Sequence, residues 1–185
     1  MKEIIINDKK IKIREARKED AEALIKYVNI IAGESDFLTF GAGEFDISLE
    51  DEEKFLKNSL KKENKLYIIA EYKGKIIGNL SFSGGSRQRT AHTGEFGISV
   101  LEEYWGNKIG EELMGYLINW SKETKIVRKI NLRVRTDNER AIRLYRKLGF
   151  IEEGILERDF FIKNKFYDSL MMGLLIDQWV LHNRT

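Results

Sequence analysis

The chain has 185 residues, with no cysteine, no proline and two histidines, and 32 basic residues balance 30 acidic ones to a net charge of +2. Such a length suits one domain over residues 1–185 with a substantial core. Disulfides, thiolate nucleophiles and Cys-based metal sites are excluded, a His-built metal site is disfavoured, and the balanced charge gives nucleic acid no field to follow. The N-terminal MKEIIINDKK has too short an apolar run for a secretion signal, and no stretch reaches membrane-spanning length, so a cytoplasmic protein without a membrane partner is expected.

Two short strands are expected at 3–6 and 10–15, around Asn7, Asp8 and Lys9. Ala21, Leu24, Ile25, Val28 and Ile31 recur at helical spacing over 18–32, and an irregular segment with Gly33, Gly41 and Gly43 follows to 46. Ser48 and Asp51 resemble a capping box that opens a helix to about 61. Strand-like segments at 66–71 and 75–83 flank Lys73-Gly74, a hairpin signal, and another strand covers 94–100 after a polar, basic loop. A helix is expected over 108–123, with Ile109, Leu113, Met114, Leu117 and Trp120 on one face. Strict alternation marks a strand at 129–135, Thr136 with Glu139 reads as a second capping box, and that helix ends near Leu148-Gly149. Strands at 155–162 and 166–175 flank a final turn. The pattern is α/β or α+β, one sheet with helices on both faces.

Two segments carry chemistry. In EFGISVLEEYWGNKIGEEL an apolar strand enters a glycine-bearing turn, Trp105 to Gly110, that feeds a helix. Backbone N–H groups at the positive end of a helix dipole hold a phosphate or diphosphate without a metal, so none is expected. The second segment is Asn138, Ala141, Leu144, Tyr145, Leu148, Gly149 and Phe150, in which Asn138 and Tyr145 lie two helical turns apart and share a face. A phenol facing a cleft can protonate a leaving group; the alternative for Tyr145 is a core side chain with a capped hydroxyl.

Together these segments resemble the GNAT superfamily of acetyl-coenzyme A-dependent N-acetyltransferases. The strand and turn correspond to its Gln/Arg-x-x-Gly-x-Gly/Ala motif, and DNERAIRLYRKLGFIEEG is a close match to its second motif. The resemblance covers about 11–176, strongest after Gly94, and RQRTAHTGEFGISV followed by YWG looks like the bacterial small-molecule or amino-acid subgroup. It implies a mixed, mostly antiparallel sheet of about seven strands flanked by about four helices. It also implies acetyl-CoA as cosubstrate, with the pantetheine arm against the backbone of Ile98, Ser99 and Val100. The diphosphate would sit on the amides of Gly106, Asn107, Lys108, Ile109 and Gly110, with Glu111 next. Asn138 matches the position near pantetheine and thioester, and Tyr145 the general acid that protonates the departing thiolate.

Two departures stand out. Trp105 replaces the motif's Gln or Arg, and Lys108 replaces its first Gly. The Lys108 side chain either hinders a left-handed backbone or adds an ammonium to the phosphate site. Retained binding is expected, because Gly106 and Gly110 keep flexibility on both sides.

An acyl acceptor amine must lose a proton, and Glu95 is the candidate base on the strand, with His92 or ordered water as alternatives and a solvated strand-end charge as the structural reading. The glutamate that some relatives carry at the position of Arg133 is absent. Without cysteine to hold the acetyl group, direct transfer in a ternary complex is the simplest scheme, with the Val100 amide polarising the thioester carbonyl. Arg87, Arg89 and His92 form a basic loop that either reaches the 3′-phosphate or an acidic substrate or is simply solvated. Glu34, Asp36, Glu44 and Asp46 would favour a cationic amine, or make an ordinary wet loop. The acceptor implied is a small-molecule primary amine: an amino acid, a polyamine or an aminoglycoside-like compound. A protein or peptide N-terminal acetyltransferase and a non-catalytic acyl-CoA sensor are the alternatives. Family members often form homodimers, and Trp179 reads as a packing anchor or part of such a contact.

Overall fold

The computed structural model describes residues 1–177, so Trp179 and His182 lie outside the described residues. In chain order the elements are β1 (Lys2–Ile6), β2 (Lys9–Glu15), a 3-10 turn (Lys18–Asp20), α1 (Ala21–Glu34), α2 (Leu49–Ser59), β3 (Lys65–Tyr72) and β4 (Lys75–Gly84). There follow β5 (Thr93–Val100), a 3-10 turn (Glu102–Tyr104), α3 (Ile109–Thr124), β6 (Lys129–Arg135), α4 (Glu139–Lys147), β7 (Ile151–Ile162) and β8 (Lys165–Leu175). The sheet has eight strands rather than about seven, in the order β1-β2-β3-β4-β5-β6-β8-β7. Pairing is antiparallel from β1 through β4 and among β6, β8 and β7, and parallel where β5 meets β6. This is the mixed α/β architecture expected.

The chain forms two compact units, and its path passes from one to the other at the end of β4, within β5 and within α3. The first comprises Met1–Ser83 and Gly97–Leu117. Its core is made by the inward faces of β2, β3 and β4 with the apolar stripes of α1 and α3: Ile13, Leu24, Ile68, Ile77, Leu80 and Leu113 are all fully buried. Each such side chain contributes about 1.5–3 kcal/mol of transfer free energy. The second comprises Gly84–Phe96 and the described residues from Ile118 onward, with Ile130, Leu132, Ile142, Phe150 and Met172 at its centre.

Turn chemistry explains the hairpins. Asn7 and Asp8 have φ of 49° and 60°, Lys73 and Gly74 of 50° and 78°, and Lys163 and Asn164 of 51° and 61°. Two successive left-handed residues make the turn whose twist matches that of the flanking strands. Ser48 caps α2 as expected, its Oγ accepting from the Asp51 amide at 3.1 Å.

The second capping box is corrected. The residue that caps α4 is Asn138, not Thr136: Asn138 Oδ1 accepts from the Ala141 amide at 3.2 Å. Thr136 instead donates its amide to the Asp168 carbonyl at 2.9 Å, which ties it to β8. The C-terminal end of α4 is a Schellman motif. Gly149 takes φ of 91°, Phe150 N donates to the Tyr145 carbonyl at 3.0 Å and Gly149 N to the Arg146 carbonyl at 3.0 Å. That is the physical content of the run LYRKLGF: glycine supplies the left-handed residue, and the reversal brings the Phe150 ring to 5.8 Å from the Tyr145 ring.

Candidate active site

The expected site residues fall in both units and are taken unit by unit. In the first, β5 runs out through Ile98, Ser99 and Val100 into the turn before α3. The ladder of β5 with β6 covers only Thr93, Gly94 and Glu95, so the later residues of β5 are not engaged in it. Ser99 is pinned from its side chain, whose Oγ donates to Asn79 Oδ1 at 2.7 Å and lies 2.9 Å from the Tyr27 hydroxyl. Asn79 Nδ2 in turn donates to the Tyr67 hydroxyl at 2.9 Å. The amide fixes the direction of this chain: Asn79 Oδ1 only accepts, so Ser99 donates to it, and the Ser99 oxygen is left to accept from Tyr27. Burial pushes the Tyr67 phenol up to about 12, and burial likewise raises Tyr27. Val100 offers its carbonyl to the Trp105 indole N–H at 2.7 Å, so the residue at the motif's Gln/Arg position braces the strand end.

The turn itself takes the backbone shape an anion seat needs. Gly106 has φ of 79° and Lys108 of 56°, so the lysine adopts the left-handed conformation despite its side chain. The Lys108 carbonyl accepts the first helical bond of α3, from Glu112 N at 3.0 Å. Amides in a first helical turn have no helical carbonyl to reach, and they lie at the positive end of the 16-residue helix. Asn107 turns its side chain inward, Nδ2 donating to the carbonyls of Tyr104 at 3.0 Å and Trp105 at 3.2 Å. The residues at 106–110 therefore fit a diphosphate held by main-chain donors.

In the second unit Tyr145 is 6% exposed and packs against Phe96 and Phe150, with centroids 5.8 Å away in both cases. Its hydroxyl has no hydrogen-bond partner among the described residues, and burial alone raises its pKa. The phenol is thus held neutral at physiological pH with its proton unassigned. Asn138 stands at the head of α4 as its cap rather than on the helical face of Tyr145, which occupies one acceptor site of its Oδ1 and leaves its Nδ2 donors for another partner. The turn carrying it is braced by Arg135, whose buried guanidinium forks onto Asp137 at 2.7 and 3.0 Å and lies 3.7 Å over the Tyr167 ring.

Glu95 is exposed on β5, and strand alternation puts it on the face of Thr93, whose Oγ1 accepts from Asn131 Nδ2 at 2.8 Å. His92, Arg87 and Arg89 are exposed, and the His92 carbonyl takes the amides of Arg128 and Lys129. Arg133 pairs with Asp159 at 3.1 Å. Glu34 accepts the Glu102 amide at 2.9 Å, so it anchors the 3-10 turn after β5. Among the described residues no cluster of His, Asp and Glu could hold a metal ion.

Comparison with known proteins identifies the family of the chain. The family described as "Acetyltransferase (GNAT) family" matches residues 33–150, and the chain belongs to it. An acetyltransferase of the GNAT family from Streptococcus pneumoniae is 34% identical, with a TM-score of 0.87 over 90% of this chain and 99% of that one. The yncA protein of Salmonella typhimurium, solved with its cofactor acetyl-CoA, shares the fold at 19% identity and a TM-score of 0.79, over 91% of this chain and 95% of that one. Spermidine N(1)-acetyltransferase of Vibrio cholerae is 31% identical over 86 residues, 46% of this chain and 50% of that protein. L-amino acid N-acetyltransferase AaaT of Escherichia coli is 30% identical over 106 residues, 57% of this chain and 65% of that protein. The chain thus spans between half and two thirds of the length of these two curated relatives.

Proposed function

We propose that this protein transfers an acetyl group from acetyl-CoA to a primary amine of a small molecule. Amino acids, polyamines and aminoglycoside-like amines are the acceptor class. The observation that carries the reading is the left-handed turn at Gly106 and Lys108, which feeds the first amides of α3. Acetyl-CoA supplies an activated thioester when bound. The amides of residues 106–110 hold its diphosphate, and the backbone of Ile98, Ser99 and Val100 orients the pantetheine arm. The Tyr145 hydroxyl, kept protonated by burial, gives its proton to the departing thiolate. Glu95, directly or through water, takes the proton the amine releases, so the transfer is balanced without a covalent enzyme intermediate. The named activities of the spermidine and amino-acid relatives support a small amine as acceptor.

The test is release of free thiol from acetyl-CoA with panels of polyamines, amino acids and aminoglycosides, beside peptides with free N-termini. Turnover with a small amine is expected. Turnover only with peptides moves the acceptor to protein N-termini. CoA binding with no turnover, and no response to Tyr145→Phe, makes the protein a sensor. Calorimetry showing no CoA binding overturns the reading altogether.

A further inference from the structure

The turn of the β1–β2 hairpin reaches the loop that precedes α3, and nothing in the proposed chemistry uses that contact. Asn7 Nδ2 donates to Asn107 Oδ1 at 2.7 Å, across 100 positions of sequence. Asn107 already spends its own Nδ2 on the carbonyls of Tyr104 and Trp105, so its oxygen is the side-chain atom left for an outside donor. Its two neighbours, Gly106 and Lys108, are both left-handed. The same hairpin touches this region twice more. Lys2 pairs with Glu112 in the first turn of α3 at 2.5 Å, and the Lys9 ammonium lies 5.1 Å from the centre of the Tyr104 ring.

We propose that the β1–β2 hairpin is a positioning element for the diphosphate loop, with Asn7 holding Asn107 and so fixing the backbone at 106–108 before the anion arrives. The proposal rests on the reading of residues 106–110 as the diphosphate seat. A left-handed lysine is disfavoured against other backbone states, so a loop built on one relaxes unless something outside it holds the shape. Side-chain bonds from 107 to 104 and 105 close the loop on itself but do not anchor it to the rest of the first unit. The hairpin does. Asn7 is the informative member because it is neutral. Lys2 and Lys9 would also act on an anionic ligand through their charge, whereas loss of Asn7 changes only geometry.

Asn7→Gly tests the idea. Glycine accepts the positive φ of 49° at this position, so the two-residue turn is kept while the donor is removed. Calorimetry on native protein and variant would use CoA and, separately, pantetheine, which has no diphosphate. The dissociation constant for CoA should rise about three- to tenfold, the range for loss of one hydrogen bond, while that for pantetheine stays as in the native protein and the melting temperature is kept. A CoA constant within about twofold of native, or an equal loss with pantetheine, overturns the positioning role and leaves the proposed function standing. Native protein that takes up no CoA overturns both.

Discussion

Tyr27 and Tyr67 in the first unit and Tyr145 in the second are all buried phenols whose pKa is raised chiefly by loss of water. Their surroundings differ. The first two belong to a chain of hydrogen bonds with Ser99 and Asn79, whereas Tyr145 is packed among aromatic rings and has no hydrogen-bond partner among the described residues. The phenol oxygens of the first unit are satisfied by the chain's own groups, whereas the Tyr145 oxygen, on a ring that is 6% exposed, is not among the fully buried unpartnered atoms of the described residues. The hydroxyls of the first unit therefore serve to hold β5 in place, while that of Tyr145 is tied to no other side chain among the described residues.

Removing single oxygens tests this contrast most directly. Tyr145→Phe should lower the rate of acetyl transfer about 10²- to 10⁴-fold, the range for a general acid, with CoA affinity and the melting temperature unchanged. Thiol release, calorimetry and a thermal melt would measure the three. Loss of stability in Tyr145→Phe would mean that its hydroxyl is structural after all, and the contrast would collapse. Ser99→Ala should behave in the opposite way. It strands Asn79 Oδ1 and the Tyr27 hydroxyl, so urea unfolding should show a loss of about 1–3 kcal/mol.

Alkaline pH sharpens the same comparison. For a group whose folded pKa lies above its unfolded value of about 10, stability is fully present below pH ~10 and falls as pH rises toward the folded value. Each of the three phenols should then contribute a fall of about 1.4 kcal/mol per pH unit, ending for Tyr67 near its raised value of about 12. Urea midpoints measured from pH 9 upward should show this slope reduced in Tyr27→Phe and in Tyr145→Phe alike, because burial is shared even though hydrogen bonding is not. The acetyl-transfer rate should show no alkaline loss traceable to Tyr145 below about pH 10. A limb between pH 7 and 9 that disappears in Tyr145→Phe would place the phenol in an exposed, polar setting instead.

What the sequence disclosed, and what it hid, follows the range of the interactions. Gly149-Phe150 after LYRKL closes within five residues, so the helix end was legible from the sequence, while the packing of Phe150 on Tyr145 came only with the structure. Ser48 with Asp51 was legible for the same reason. Thr136 misled because a hydroxyl three positions before Glu139 has the capping pattern, but the amide of Thr136 is claimed by Asp168 on β8. Asn138, one of the preferred caps, was next in line. The bond from Tyr27 to Ser99 spans 72 positions and that from Asn7 to Asn107 spans 100. No local pattern announces such pairs, since they exist only once sheet and helices have packed. The likeness to a known family located the turn at 106–110 but said nothing of what braces it.

Lys108→Gly is the smallest effect and the most specific. Lysine at φ of 56° sits where an L-residue is strained, and glycine relieves that strain while making the unfolded chain more flexible. The two nearly offset, leaving an expected gain of about 0.5 kcal/mol in urea unfolding, because the left-handed penalty slightly exceeds the entropy cost of a glycine. The turn already has the left-handed geometry, so its amides should stay in position and the change in CoA affinity isolates the ammonium. Removing one exposed cation beside a polyanion should weaken binding about threefold at low salt, and the difference should fade as ionic strength rises past physiological values. A loss that persists in high salt would mean that the lysine shapes the loop rather than attracting the phosphate. A gain in affinity would show that its side chain obstructs the seat, and that the glycine of the family motif is the better fit.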